Sequence, residues 1–366
     1  MKFINKYLRN LAPYKVASHK VWEVSDEERK KILKLDWNEA TIPPSPKVKE
    51  RLQALVDNEY LYYLYPSTNN DEILQRLSIY TKLPFDNLQY FASSDSLHEY
   101  LVRMYITVGD PILILGPTYD NFRLTSQTQG AVIHYYNYDA DFNLDQHGFI
   151  EQIQELNPSL VYICNPNNPS GNLIPKTFLK HLITSFPEVV FLIDEAYYEF
   201  SHETIADEVV NFPNLFVSRT FSKAFALANF RAGYLISDIN NIQQISKIRN
   251  PKNFTTFAQE AVIGVLSDVD YMWHFVKEVE NAKKWFIEQL DGLAYIDRIF
   301  ESHANFVLIR FRDFDAKMKI FNHLNEKNIF VRNLLHSNKL INCLRISIGT
   351  QEQMLRVLEA IKESRA

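Results

Sequence analysis

The segment VVFLIDEAYYEF, residues 189–200, carries five consecutive apolar side chains straight into Asp194 and Glu195. A strand that is apolar on both faces is one buried on both sides, as in a parallel sheet covered by helices. Six other short runs share this texture: NLQYFA (87–92), PILILG (111–116), AVIHYYN (131–137), SLVYICN (159–165), NLFVSRT (214–220) and GYLIS (233–237). Amphipathic stretches separate them. Six or seven such strands between residues 87 and 237 predict one large α/β domain with a mostly parallel sheet.

Upstream, residues 1–40 form a polar opening with a few aromatics, and TIPPSP (41–46) reads as irregular because proline fixes φ and removes a donor. Beyond about residue 260 the chain is long, charged and free of proline through FIEQLDGL, which predicts helices with Gly292 as a C-terminal stop. NFVLIRF (305–311), NIFVR (328–332) and CLRISIG (343–349), with helical stretches near 315–326 and 350–364, predict a smaller α+β domain. The expected organisation is a large domain over 41–264, and a small domain over 265–366 with the arm 1–40 beside it.

The 366 residues are 46% hydrophobic and 23% charged, the composition of a soluble globular protein. The net charge is −5 and no Lys/Arg run stands out, which speaks against nucleic acid as a partner. No apolar run approaches the ~18 residues of a membrane span. Two cysteines and no secretory signal fit the cytoplasm. The ten histidines are scattered, so no metal is expected. The nine glycines never lie closer than seven residues apart. That excludes the dinucleotide fingerprint, the Walker loop and the kinase loop, all of which need clustered glycines. A phosphate, if bound, is held by side chains and helix ends.

Three segments carry chemistry. In RTFSKAFALANFRAGY (219–234), Thr220, Ser222, Lys223 and Arg231 follow a predicted buried strand. Burial favours the neutral amine of a lysine, the form that attacks a carbonyl, and the hydroxyls and the arginine suit a phosphate. In VVFLIDEAYYEF, Asp194 stands at the C-terminal end of a strand, where α/β folds put ligands, with Tyr197 three residues on. Read alone, Asp194 serves equally well as the N-cap of a following helix. In CNPNNPSG (164–171), two Asn-Pro pairs and a glycine make a rigid turn from which Asn168 points an amide outward.

Taken together, in this order and spacing, the chain resembles the fold-type I, pyridoxal-phosphate-dependent aminotransferases of class I/II, and within them the histidinol-phosphate aminotransferase group. The resemblance runs from RNLAPY (9–14) and the YP pair (65–66) through GPTYDNF (116–122) and the three segments above. It continues through HANF (303–306), VRN (331–333) and CLRISIGT (343–350). It implies an α/β architecture with a mostly parallel seven-stranded sheet and a smaller α+β domain. It also implies pyridoxal 5'-phosphate, held as a Schiff base on Lys223, which later moves a proton as a free amine. Asp194 would pair with the pyridine nitrogen, Tyr197 and Asn168 would hold the ring 3'-oxygen, and Tyr119 would stack on the ring face.

Thr220, Ser222 and Arg231, with the SSDS turn (93–96) opening a helix, would take the cofactor phosphate. The family has a glycine near Ser93 and an acidic residue where Ser96 stands, so Ser94 and Asp95 are the contacts chosen there. Tyr65 would reach the cofactor phosphate of a neighbouring subunit, which implies a homodimer. For substrates, the resemblance gives Arg345 the carboxylate of glutamate as amino donor, Arg332 a substrate phosphate, and Tyr14 a closing position. Asn38 lies in WNEATIPPSP (37–46), the family's substrate entrance, whose middle has drifted in this chain. A three-carbon phosphoketone such as dihydroxyacetone phosphate, aminated to serinol phosphate, would satisfy the same arginines as histidinol phosphate. The alternatives implied by the same fold are a decarboxylase of a phosphorylated amino acid and a non-catalytic cofactor-binding regulator. Intact Lys223 and Asp194 count against the regulator, and Arg345 gripping a carboxylate in the ring plane favours transamination.

Overall fold

The computed structural model describes residues 4–9, 11–13, 20–335 and 338–364. It opens with α1 (Asp26–Arg29), β1 (Leu33–Leu35), α2 (Pro46–Val56) and α3 (Asp71–Thr81). A strand–helix alternation follows: β2 (Leu88–Phe91), α4 (Ser94–Tyr105), β3 (Pro111–Gly116), α5 (Asn121–Thr128), β4 (Val132–Asn137) and α6 (Gln146–Leu156). It continues through β5 (Leu160–Cys164), α7 (Lys176–Ser185), β6 (Val190–Asp194), α8 (Tyr198–Ser201), β7 (Leu215–Thr220) and β8 (Gly233–Ser237).

All seven apolar runs are strands of one sheet, in the order β2-β8-β7-β6-β5-β3-β4. Pairing from β4 through β7 is parallel, and only β8 runs against its two neighbours. Every residue of β5, β6, β7 and β8 is buried, as continuous apolar runs require. The run 131–137 is the exception. As β4 it is one of the two edge strands, and unlike β2 at the other edge it is open to solvent, with Val132 and Tyr135 47% and 44% exposed.

Helices α9 (Ile239–Ile248), α10 (Thr256–Leu266) and α11 (Val269–Leu290) come next. The last of them stops at a C-cap on Asp291, followed by Gly292 at φ 75°. Then come β9 (Ile296–Ile299), β10 (Phe306–Phe311), α12 (Phe314–Glu326), β11 (Ile329–Asn333), β12 (Cys343–Ser347) and α13 (Gln351–Glu363). Five strands make a second sheet in the order β1-β11-β12-β10-β9. The polar opening therefore contains a strand: Leu33 and Leu35 face Ile329 and Val331 in a parallel pair. TIPPSP is irregular only through Ser45. Pro46 opens α2, where a missing N–H costs nothing, and the Ser45 hydroxyl accepts from the Lys47 amide at 3.2 Å. Among the described residues no helix is long and apolar enough to cross a membrane.

The register of the large sheet positions the site. Cys164 pairs with Asp194, and Asp194 with Ser218. The three chemistry-bearing segments thus leave neighbouring strands side by side at the C-terminal edge, where such sheets take ligands.

Candidate active site

Two carboxylates end β6, and the fold separates their tasks. Glu195 is locked in a buried ion pair, with Arg219 Nε donating to it at 2.9 Å and Thr204 adding its hydroxyl. Asp194, 3% exposed, has hydroxyl partners instead. Tyr162 donates to Oδ2 at 2.8 Å and Ser218 to Oδ1 at 3.3 Å. Asp194 is not a helix cap, because α8 is preceded by Tyr197 in that position. Tyr197 is buried, which holds its phenol well above the usual range, and its oxygen accepts from Asn38 Nδ2 at 3.0 Å.

Lys223 leaves the end of β7 into a bend, not a helix. Its Nζ donates to the Trp37 carbonyl at 2.9 Å and lies 6.0 Å from the centre of the Tyr197 ring. Burial first, and the Arg345 charge second, bring this amine down to about 8. That raises the neutral fraction near neutral pH far above an ordinary lysine's, as a nucleophilic lysine needs.

A cradle forms beside it. The Thr220 hydroxyl bonds Ser222 Oγ at 2.9 Å and accepts the Ser222 amide at 3.1 Å. Arg231 reaches Asp95 Oδ2 at 3.2 Å, while Tyr119 and Asn121 donate to Oδ1 at 3.1 and 3.0 Å. Asp95 lies in the first turn of α4, whose early amides have no intrahelical acceptor. Ser93 caps only the Ser96 amide, and it does so at φ 90°, a backbone region that suits glycine. The serine takes this strained conformation and supplies a cap in exchange. Gly233 lets β8 meet this helix end, since a Cβ there would lie 2.6 Å from the Ser94 nitrogen.

The turn 164–171 is tied by its own asparagines. Asn165 bridges to Ile174 in both directions, and Asn167 donates to the Pro117 carbonyl and to Ser170. Asn168 is left to accept from Nη1 of Arg345. Gly171, at φ 82°, abuts Ser302 and accepts the His303 amide at 2.8 Å, so the large-sheet turn meets the second sheet's HANF loop.

Arg332 and Arg345 are direct partners across β11 and β12. Opposed residues of an antiparallel pair project from the same face, so both guanidinium groups leave one side of the second sheet. Arg345 is 7% exposed and also donates to the Asp36 carbonyl at 2.6 Å. Asn38 ties both sheets together: besides Tyr197, it engages Ser347 at 3.0 Å through its amide and accepts from Asn305 at 3.1 Å.

The structure thus gathers Asn38, Ser94, Asp95, Tyr119, Asn168, Asp194, Tyr197, Thr220, Ser222, Lys223, Arg231 and Arg345 around one edge, with Arg332 alongside Arg345. Tyr65 stands apart within its own chain, 77% exposed, with Lys252 Nζ 4.4 Å from its ring centre. Tyr14 lies outside the described residues. Sequence reasoning missed Tyr162, Ser218, Trp37 and Ser347. Ser218 did leave a signal, a polar residue inside an apolar strand; Trp37 acts through its backbone and left none.

Residues 30–361 match the family described as aminotransferase class I and II. The chain is 42% identical over 363 residues to a dihydroxyacetone phosphate transaminase of Campylobacter jejuni subsp. jejuni, covering 98% of this chain and 96% of that one. It is 32% identical to a histidinol-phosphate aminotransferase of Methanococcoides burtonii, covering 92% of this chain and 91% of the other. In fold it is similar to the histidinol-phosphate aminotransferase of Sinorhizobium meliloti, solved in complex with pyridoxal-5'-phosphate. The TM-score is 0.87 at 23% identity, over 100% of this chain and 98% of that one.

The residues present fit that cofactor. Asp194 offers a buried carboxylate whose described partners include no cation, which suits a protonated ring nitrogen. Lys223 offers an amine lowered to about 8, and the approach that Gly233 permits sets a helix N-terminus beside two hydroxyls and an arginine, as a phosphate requires. Family match, fold and site chemistry agree: the chain belongs to the class I and II aminotransferases, and is a transaminase of fold type I that depends on pyridoxal 5'-phosphate.

Proposed function

We propose that the chain passes an amino group between glutamate, or its keto acid 2-oxoglutarate, and a small phosphorylated ketone, with dihydroxyacetone phosphate giving serinol phosphate as the first choice. The observation that carries this reading is the pairing of Arg332 with Arg345 on one sheet face, beside Lys223. Guanidinium forks suit a carboxylate and a phosphate ester, one each. In this reading Arg345 takes the glutamate carboxylate, Arg332 takes the substrate phosphate, and Tyr14 and Asn38 border the entrance. The 42% relative supports the three-carbon ketone. Histidinol phosphate is the second reading, supported by the 32% relative. Decarboxylation has less behind it, because both of these relatives are transaminases.

Lys223 Nζ is the attachment point of the cofactor. Bound there, pyridoxal 5'-phosphate supplies a sink for the electrons left when the C–H bond beside the nitrogen breaks. As a free amine, released when the substrate nitrogen takes its place, Lys223 Nζ would receive that proton, and its lowered basicity would let it give the proton up again. Asp194 takes the ring nitrogen, Tyr197 and Asn168 the 3'-oxygen, and Tyr119 the ring face. Thr220, Ser222, Arg231 and the amides of Ser94 and Asp95 take the phosphate, while the Asp95 carboxylate orients Tyr119 and Arg231.

We read the aromatic run Tyr60, Tyr62, Tyr63 and Tyr65, which is 54% to 77% exposed, as a face covered by a second copy. Tyr65 then completes the partner's phosphate cradle in a cytoplasmic homodimer. The large sheet with residues 41–264 and the second sheet with 1–40 and 265–366 are read as its two domains. The test is incubation with glutamate and dihydroxyacetone phosphate, following 2-oxoglutarate and serinol phosphate by mass spectrometry. Equal amounts of both products support the reading, and 2-oxoglutarate formed well beyond one equivalent of enzyme without serinol phosphate, or no turnover at all, contradicts it.

A further inference from the structure

Asp194 is the end of a longer chain of contacts. Ser218 stands opposite it in the β6–β7 register, its hydroxyl 3.3 Å from Asp194 Oδ1. Ser218 Oγ also lies 2.9 Å from Nε2 of His98. His98 belongs to α4, the helix whose first turn forms part of the phosphate cradle. Two side chains therefore connect the helix at one end of the site to the carboxylate at the other. His98 is 1% exposed, with Phe122 and Tyr162 edge-on to its ring at 5.7 and 5.8 Å. Its Nδ1 meets no hydrogen-bond partner among the described residues.

These contacts fix where the protons lie. An ionised carboxylate only accepts, and a serine hydroxyl has one proton to give. Ser218 therefore donates to Asp194 and accepts from His98, which must carry its hydrogen on Nε2. With the hydrogen on Nε2, the nitrogen without a partner among the described residues is Nδ1. Tyr162 donates to the other carboxylate oxygen at 2.8 Å. Both neighbouring hydroxyls point their protons at Asp194. Of the other buried side chains of this helix, Leu97, Leu101 and Val102 are apolar and Tyr100 is aromatic, and an apolar residue would pack in this aromatic setting as well as histidine does. What histidine adds is the donor.

We propose that His98 is a positioning residue for the cofactor: acting through Ser218, it keeps the Asp194 carboxylate oriented toward the ring nitrogen of pyridoxal 5'-phosphate. The proposal rests on the assignment of Asp194 given above. It is tested on the full-length protein, stripped of cofactor, by measuring the affinity for pyridoxal 5'-phosphate and for its 1-deaza analogue, in which a C–H replaces the ring nitrogen. The ratio of the two affinities reads the Asp194 contact alone. His98→Leu should cut that ratio about three- to tenfold, the net worth of one hydrogen bond. His98→Gln, which can donate from a similar position, should largely keep it. Ser218→Ala should cut the ratio as His98→Leu does, and combining the two should cut it no further. If His98→Leu does not fold, Ser218→Ala and His98→Gln decide the matter. Equal losses for both cofactors, leaving the ratio unchanged, would mean that His98 only packs, and would overturn the relay while Asp194 keeps its role. A wild-type protein that binds both cofactors equally would overturn the Asp194 assignment, and the proposal with it.

Discussion

Replacing Arg332 by alanine separates the two halves of the proposed reaction. Arg332 and Arg345 share one sheet face as direct cross-strand partners, so deleting one leaves the other's backbone placement intact. Arg345 keeps its own anchors on Asn168 and the Asp36 carbonyl. A hydrogen bond to a charged group is worth about 1.5–3 kcal/mol, so Arg332→Ala should weaken binding of the phosphorylated ketone roughly ten- to a hundredfold. The glutamate half-reaction should stay near its wild-type rate. Arg345→Ala should show the reverse order, with the glutamate half impaired most. The assay is single-turnover kinetics of each half-reaction, followed through the cofactor absorbance. If the phosphorylated half-reaction is unchanged in Arg332→Ala, this arginine does not read the acceptor, and the phosphate-substrate reasoning loses its main support.

Three further outcomes are expected. Chains carrying Tyr65→Ala and chains carrying Lys223→Ala, mixed and allowed to exchange, should regain activity above either parent, since one site of each mixed dimer has both residues; a monomer by sedimentation, or no recovery, contradicts the shared site. Gly233→Ala should cost about 1–3 kcal/mol in denaturant unfolding and weaken cofactor binding, because its Cβ would stand 2.6 Å from the Ser94 nitrogen and the atoms it meets are backbone; unchanged stability contradicts the close approach. In the cofactor-free protein, Lys223 and Lys283, both lowered by burial to about 8, should make stability rise as pH climbs from about 8 toward 10. The unfolded chain holds those protons until its ordinary lysine range, about 10.4, so it is the folded state that gains. Lys223→Met should show a smaller rise, and an identical one in chemical denaturation would refute the burial of its amine.

Apolar content made the large sheet legible. VFLID and LVYIC could only be strands covered on both faces, and each ended where its chemistry began. The same signal overstated the run 131–137, because edge position is a property of strand order and not of local sequence. It missed β1 and β9, since LKL and IDRI are too short and too polar to stand out as runs. Lys223, Asp194 and Asn168 were readable because their residue types and spacing match a chemical task. Tyr162, one of 20 tyrosines, was not, because only the register of β5 against β6 sets it beside Asp194. The opposition of Arg332 and Arg345 likewise depends on which residue of β11 faces which residue of β12. His98 is linked to the carboxylate only through Ser218, a contact that no local sequence pattern encodes.

The central claim is that this transaminase reads a phosphate on its ketone substrate. The most direct measurement is kcat/KM with glutamate as donor for dihydroxyacetone phosphate against unphosphorylated dihydroxyacetone, in the wild-type enzyme. One charge-assisted contact from Arg332 predicts a preference of at least about tenfold for the phosphorylated ketone, and one that shrinks when Arg332 is replaced. Equal kcat/KM for the two ketones, or a preference that survives in Arg332→Ala undiminished, would contradict the account.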